Sequence, residues 1–143
     1  MVLKIKIKSL TIDLEKSLVF HPEYKGIRLD VIARDEDDTH YNIEMQVLEK
    51  KALNRRSRYY HSQIDMELLL KGLEYSKLPN TYVIFICDFD PCGQEKYCYT
   101  FSNYCEEVEG LKLGDGNTTI LLSTCGKNTQ DVSERLVKFL RFV

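Results

Sequence analysis

Asp30 and Glu44 stand in two β-rich runs, I-R-L-D-V-I-A-R over residues 27–34 and H-Y-N-I-E-M-Q-V over residues 40–47, separated by the acidic stretch Asp35-Glu36-Asp37-Asp38. Two such runs around a short polar loop predict an antiparallel hairpin. If the turn centres on Asp37, residues whose numbers sum to 74 face each other, and Asp30 and Glu44 are such a pair. Directly opposed residues bring their Cβ atoms to roughly 4.5–5.5 Å. Two carboxylates at that separation repel unless one is protonated or a cation sits between them. Converging carboxylates at a sheet are the hard-oxygen setting that suits Mg²⁺, with Mn²⁺ as a second choice. Gln46 lies two residues past Glu44 and shares its face by the period of a strand, where it can orient a water or a phosphate. The plain alternative is that Asp30 and Glu44 are the hairpin's solvent face, with the Asp/Glu stretch a solvated turn. An arginine salt link across the pair would plug such a site.

Beyond the hairpin, Lys50, Lys51, Arg55, Arg56 and Arg58 cluster at the start of a helical stretch. Cations at a helix N-terminus oppose the helix dipole, so dipole energetics do not explain them. Cationic side chains beside a carboxylate–metal site suit a phosphodiester substrate. Arg56, Tyr60, Gln63 and Glu67 fall near one face of that helix, at i, i+4, i+7 and i+11. Tyr59 and Tyr60 read more readily as core or rim than as chemistry.

The elements that must position these residues follow from patterning. Residues 2–8, V-L-K-I-K-I-K, alternate with period two and predict a strand. Residues 11–24 are irregular, and Pro22 disfavours a helix beyond His21. Residues 54–77 predict a helix, capped by Asn54 and followed by Pro79, with Tyr60, Ile64, Leu68, Leu69 and Leu73 as its apolar stripe. T-Y-V-I-F-I-C over residues 81–87 is a continuous apolar run that suits a strand buried on both faces. Residues 88–93 predict a turn, 97–101 a strand, 110–117 a loop and 118–123 a strand. Residues 131–142 predict an amphipathic helix with Val132, Leu136, Phe139 and Leu140 as its stripe. The order is that of an α/β sheet with a crossover helix between residues 47 and 81.

The chain has 143 residues, 43% of them apolar and 29% charged, which suits one domain with a sizeable core. No apolar run approaches a membrane span, and the first ten residues lack a signal-peptide core, so a cytoplasmic location is expected. The net charge of −2 excludes a generally basic nucleic-acid coat, and contact with a polyanion must come from a local patch. The five cysteines, Cys87, Cys92, Cys98, Cys105 and Cys125, form no C-x-x-C pair, and with three histidines they make a poor zinc site. They read as reduced, mostly buried thiols. No G-x-S-x-G, P-loop or G-x-G-x-x-G is present.

Several segments, in order, carry a resemblance. They are K-G-I-R-L-D-V (residues 25–31), Y-N-I-E-M-Q (41–46), R-S-R-Y-Y-H-S-Q-I-D (56–65), L-P-N-T-Y-V-I-F-I-C-D-F-D-P (78–91), Y-T-F (99–101) and D-V-S-E-R-L (131–136). Together they resemble the PD-(D/E)XK nuclease family transposases, the Rpn-type recombination-promoting nucleases of bacteria. The resemblance runs from about Lys25 to Val143. It implies a restriction-endonuclease-like mixed β-sheet flanked by helices, forming a single nuclease-like domain over residues 1–143. The N-terminal helical segment and C-terminal region of longer relatives are absent from it. It also implies a Mg²⁺-dependent DNA endonuclease linked to transposition or recombination. Asp30 and Glu44 are then the metal-holding acids, the Met45 carbonyl a further ligand, and Gln46 the third signature position, usually Lys. Tyr60 and Gln63 are supporting polar positions. Lys51, Arg55, Arg56 and Arg58 are the expected DNA contacts. A missing helix would leave a sheet face uncovered, which a homodimer would cover. The competing expectation is a catalytically degenerate nucleic-acid-binding or oligomerisation module.

Overall fold

The computed structural model describes residues 7–18, 27–47, 52–72 and 74–143, and within these the side chains of residues 15–18, 27–30 and 70 lie outside the description. Six strands form one sheet: β1 (Leu10–Leu18), β2 (Ile27–Asp35), β3 (His40–Gln46), β4 (Thr81–Cys87), β5 (Cys98–Phe101) and β6 (Asn117–Ser123), in the order β1-β2-β3-β4-β6-β5. β3 pairs with β4, and β4 with β6, in parallel, while the outer pairings are antiparallel, so the sheet is mixed. Helix α1 (Leu53–Leu70) makes the crossover from β3 to β4, and α2 (Glu134–Phe142) closes the chain.

The two helices cover opposite faces. Val83, Phe85 and Cys87 of β4 join Leu121 of β6 and Leu53 and Tyr60 of α1 in one core cluster. Ile84 and Ile86 point the other way and pack with Ile120, Leu122, Tyr41 and the α2 residues Leu136, Val137 and Leu140. The doubly buried reading of β4 holds: Val83, Phe85 and Cys87 are fully inaccessible. No helix among the described residues is long and apolar enough to cross a membrane.

Several expectations need correction. Residues 2–6 of the expected first strand lie outside the described residues, and Ile7 and Lys8 are not in a strand. The strand comes next, at Leu10–Leu18, paired with β2 from Leu10↔Asp35 to Leu18↔Ile27. Leu10, Ile12 and Leu14 are 47%, 57% and 73% exposed, so the pairing with β2 and not burial of an apolar face makes this a strand. The crossover helix ends at Leu70, seven residues early, because Gly72 turns the chain with φ +84°. Leu73, expected on its stripe, lies outside the described residues. Asn54 is not its cap. Ala52 holds that place in the left-handed region (φ 69°), and the Asn54 side chain accepts from Arg55 N inside the first turn.

The last helix starts at Glu134, capped by Ser133, whose hydroxyl accepts from Leu136 N. Val137 replaces Phe139 on its buried stripe, and Phe139 is 46% exposed. Of the five thiols only Cys87 is buried; Cys125 is exposed and the other three are half-buried.

Candidate functional site

The hairpin has the register expected from its turn. Val31↔Ile43, Ile32↔Asn42, Ala33↔Tyr41 and Arg34↔His40 are directly paired, each couple summing to 74. The acidic turn is only partly a solvated one. Asp35 is buried, and its Oδ1 accepts from Asp37 N and Thr39 N while its Oδ2 accepts from the Tyr41 hydroxyl at 2.7 Å. Burial pushes the Asp35 carboxyl up, but these hydrogen bonds outweigh it and hold it below the usual carboxylate range. The same bond, after burial, pushes the Tyr41 phenol well above its ordinary value. A turn tied this tightly fixes which residues of the two strands face one another.

The register places the Asp30 backbone in β2, one step beyond the Val31↔Ile43 pair, while its side chain lies outside the description. Glu44 and Gln46 are described, and both are buried, at 5% and 6% exposure. Alternation along β3 sends them to the face covered by α1, and sends Met45, 47% exposed, to the other. Glu44 pairs in register with Phe85 of β4, so the carboxylate stands beside an aromatic ring on the sheet surface.

Arg56 and Tyr60 come down from α1 onto this pair. Arg56 Nη1 donates to Gln46 Oε1 at 2.6 Å, and Nη2 donates to the Tyr60 hydroxyl at 2.9 Å and to Glu44 Oε2 at 3.4 Å. The Tyr60 hydroxyl donates to the same Glu44 oxygen, also at 3.4 Å. The guanidinium lies 5.5 Å from the Tyr60 ring centroid and 5.4 Å from that of Phe85, and the two rings stack at 6.0 Å. Burial raises the Tyr60 pKa; the Arg56 hydrogen bond opposes this and the Glu44 charge adds to it. Tyr60 is therefore a neutral phenol at neutral pH, a donor and not a base.

The arginine link that would plug the site is thus present in part. Its 3.4 Å length is well beyond the 2.7–2.9 Å of a strong charge-assisted bond. The short contacts of Arg56 go to neutral groups.

The remaining expected residues are dispersed. Gln63 is buried, whereas Glu67 pairs with Lys71 in an i,i+4 contact at 2.8 Å. Arg55 and Arg58 are exposed on α1, and Lys51 lies outside the described residues. α1 has no acidic residue in its first turn, so the arginines meet no opposing charge there.

The sequence groups Arg56 with the expected DNA contacts and also sets it on the helical face of Tyr60, Gln63 and Glu67. Its four-residue spacing from Tyr60, which marks the buried stripe, is the signal that it turns inward. Asn42 was missed altogether. It lies two residues before Glu44 on the same face, is 1% exposed, and neither amide atom has a hydrogen-bond partner among the described residues.

The larger cavities lie on the other flank of α1, toward β6. One of about 550 Å³ and one of about 350 Å³ share Asn54, Ser57, Phe101 and Thr119 as lining, and neither includes Glu44 or Gln46.

No group of three or more His, Cys, Asp or Glu side chains gathers among the described residues. Whether the donor set fits a hard divalent ion turns on Glu44. A carboxylate at 5% exposure, with long contacts to Arg56 and Tyr60, is a suitable oxygen donor. A backbone carbonyl, an opposed carboxylate and water would complete the coordination.

No curated protein matches the chain. A family model does, over residues 2–142, and its description is PD-(D/E)XK nuclease family transposase. The mixed sheet flanked by two helices agrees with the restriction-endonuclease-like architecture that this description implies. With nearly its whole length matched, the chain belongs to the PD-(D/E)XK nuclease family transposases.

Proposed function

We propose that the protein is a Mg²⁺-dependent DNA endonuclease, with Mn²⁺ as an alternative ion, and that Asp30, Glu44 and the Met45 carbonyl hold the metal. The observation that carries this reading is the buried Glu44 carboxylate, set on β3 in a hairpin whose pairs sum to 74. That register, if continued by one residue beyond Val31↔Ile43, would set Asp30 opposite Glu44. A bound divalent ion would polarise the phosphate and lower the pKa of the attacking water.

The chain's own residues do the rest. Gln46, tethered by Arg56, presents its amide to a water or a phosphate oxygen. It carries no charge and takes no proton. Tyr60 steadies Arg56 and the Glu44 carboxylate through one hydroxyl. Arg55 and Arg58, with Lys51, supply the local positive patch that a chain of net charge −2 needs to hold DNA.

The test is nicking of supercoiled plasmid with and without Mg²⁺. The wild-type chain is expected to nick only with the metal, and Asp30→Ala and Glu44→Ala to abolish nicking while circular dichroism shows the fold retained. Undiminished nicking by Asp30→Ala would remove the reading. A second reading, a DNA-binding module with a degenerate site, is favoured by Arg56 leaning on Glu44. It expects salt-sensitive DNA retention and no metal-dependent cut.

A further inference from the structure

The Arg56 contacts are graded in a way that a simple counter-ion does not explain. A guanidinium that exists to neutralise a carboxylate docks on it through two short parallel bonds. Arg56 instead reaches Glu44 with one Nη2 contact of 3.4 Å, while Gln46 and Tyr60 hold it at 2.6 and 2.9 Å. Two rings, those of Tyr60 and Phe85, bracket it at about 5.5 Å. Its position is set by groups that do not need the Glu44 charge. Three of its five N–H donors are engaged by these contacts, which leaves two. The side chain is 30% exposed, so it is not sealed under α1.

A carboxylate cannot serve a nearby guanidinium and a divalent ion equally, because the two cations repel at short range. We propose that Arg56 competes with the divalent cation for Glu44 in the free protein and, once displaced, grips a non-bridging oxygen of the substrate phosphate. This rests on the metal-dependent reading above. Gln46 and Tyr60 then serve as the hinge that keeps the guanidinium in place while its long contact to Glu44 is given up. The ligand class is a phosphodiester, since a planar fork beside a metal-bound carboxylate matches the paired oxygens of a phosphate.

The experiment measures Mn²⁺ binding to the full chain by calorimetry, without DNA, and cleavage separately. Arg56→Ala is expected to bind Mn²⁺ about three- to tenfold more tightly than wild type, and to cut DNA about a hundredfold more slowly. The two effects have opposite signs, which a merely structural role does not produce. Arg56→Gln, which removes the charge but keeps a polar side chain, is expected to behave alike, and serves if the alanine variant unfolds. Arg56→Lys is expected to keep weak metal binding and to recover only part of the rate. Unchanged or weaker Mn²⁺ binding in both neutral variants overturns the inference and leaves the nuclease reading standing. No Mn²⁺ binding by the wild-type chain overturns both.

Discussion

Tyr60 separates three roles in one side chain. Its ring stacks on Phe85 and borders Arg56, while its hydroxyl accepts from Arg56 and donates to Glu44. Tyr60→Phe keeps the ring and removes only the hydroxyl. Its expected cost in stability is about 1 kcal/mol, the net worth of an ordinary hydrogen bond. Cleavage is expected to fall by about tenfold, as Arg56 loses its 2.9 Å anchor. Tyr60→Ala also empties the space above Phe85, and is expected to cost about 3–5 kcal/mol by urea denaturation. If Tyr60→Phe cuts DNA at the wild-type rate, the hydroxyl has no part in the site. At this scale the sequence was informative about Glu44, Gln46 and Tyr60, because strand and helix periods assign faces without knowledge of the fold. It set Arg56 on the Tyr60 face but could not say that Gln46 and Tyr60, more than Glu44, would hold it, since that depends on how α1 is rotated over the sheet. Nor could it say that Asn42 is buried, since a polar amide on a strand reads as solvent-facing until a helix covers it.

His61 shows how one element is fastened to two others. Its Nδ1 is 2.7 Å from Thr81 Oγ1 on β4 and its Nε2 is 3.2 Å from Thr119 Oγ1 on β6. Thr81 gives its own proton to Asn117 Oδ1 at 2.6 Å, so it accepts from His61, and Nδ1 is the protonated nitrogen. Nε2 then accepts from Thr119, whose oxygen is also hydrogen-bonded to Ser57 Oγ. Burial lowers the His61 pKa to about 4, with the distant charge of Asp115 only partly opposing it. As pH falls below 6.5 the unfolded chain takes up this proton, while the folded chain does so only near 4. Stability is therefore expected to fall across that window, by at most about 1.4 kcal/mol per pH unit from this group. Asp65, whose pKa is raised by burial and then by Asp115, acts in the opposite sense, so the contrast with a variant is what isolates His61. His61→Leu is expected to cost about 1–3 kcal/mol at neutral pH and to flatten the decline between pH 6.5 and 4. An unchanged slope in urea melts would mean that His61 is not neutral in the fold. The elements themselves were legible wherever local pattern and tertiary burial agree: the hairpin, β4, β6 and the crossover helix. β1 was not, because an exposed edge strand is specified by its partner's backbone. The end of α1 was not, because Gly72 can continue a helix at modest cost and here adopts φ +84° instead.

For the molecule as a whole, the net charge of −2 is the main obstacle to holding a polyanion. Binding must rest on where charge is concentrated. α1 starts with Arg55, Arg56 and Arg58 and no acidic residue in its first turn, so the positive end of the helix dipole and three guanidinium groups act in the same direction. Arg56 is turned down onto Gln46, and Arg55 and Arg58 stay in solvent. On the proposed reading, these two are the described cations of α1 that would meet the DNA backbone. Each phosphate contact releases a condensed counterion, so the logarithm of the affinity should fall by about 0.9 per contact for each logarithm of salt. The wild-type slope on a short duplex, measured by fluorescence anisotropy between low and moderate salt, is expected to exceed that of the Arg55→Ala, Arg58→Ala double variant by about 1.8, two such contacts. Both side chains are exposed, so the double variant is expected to keep its melting temperature nearly unchanged. A slope equal to wild type would place the DNA on another surface, and the cavities on the β6 flank of α1, where Arg58 lines the smaller, would then be the next to probe. A slope reduced with Mn²⁺ affinity unaltered would separate the proposed DNA contacts of Arg55 and Arg58 from the proposed metal-holding carboxylates.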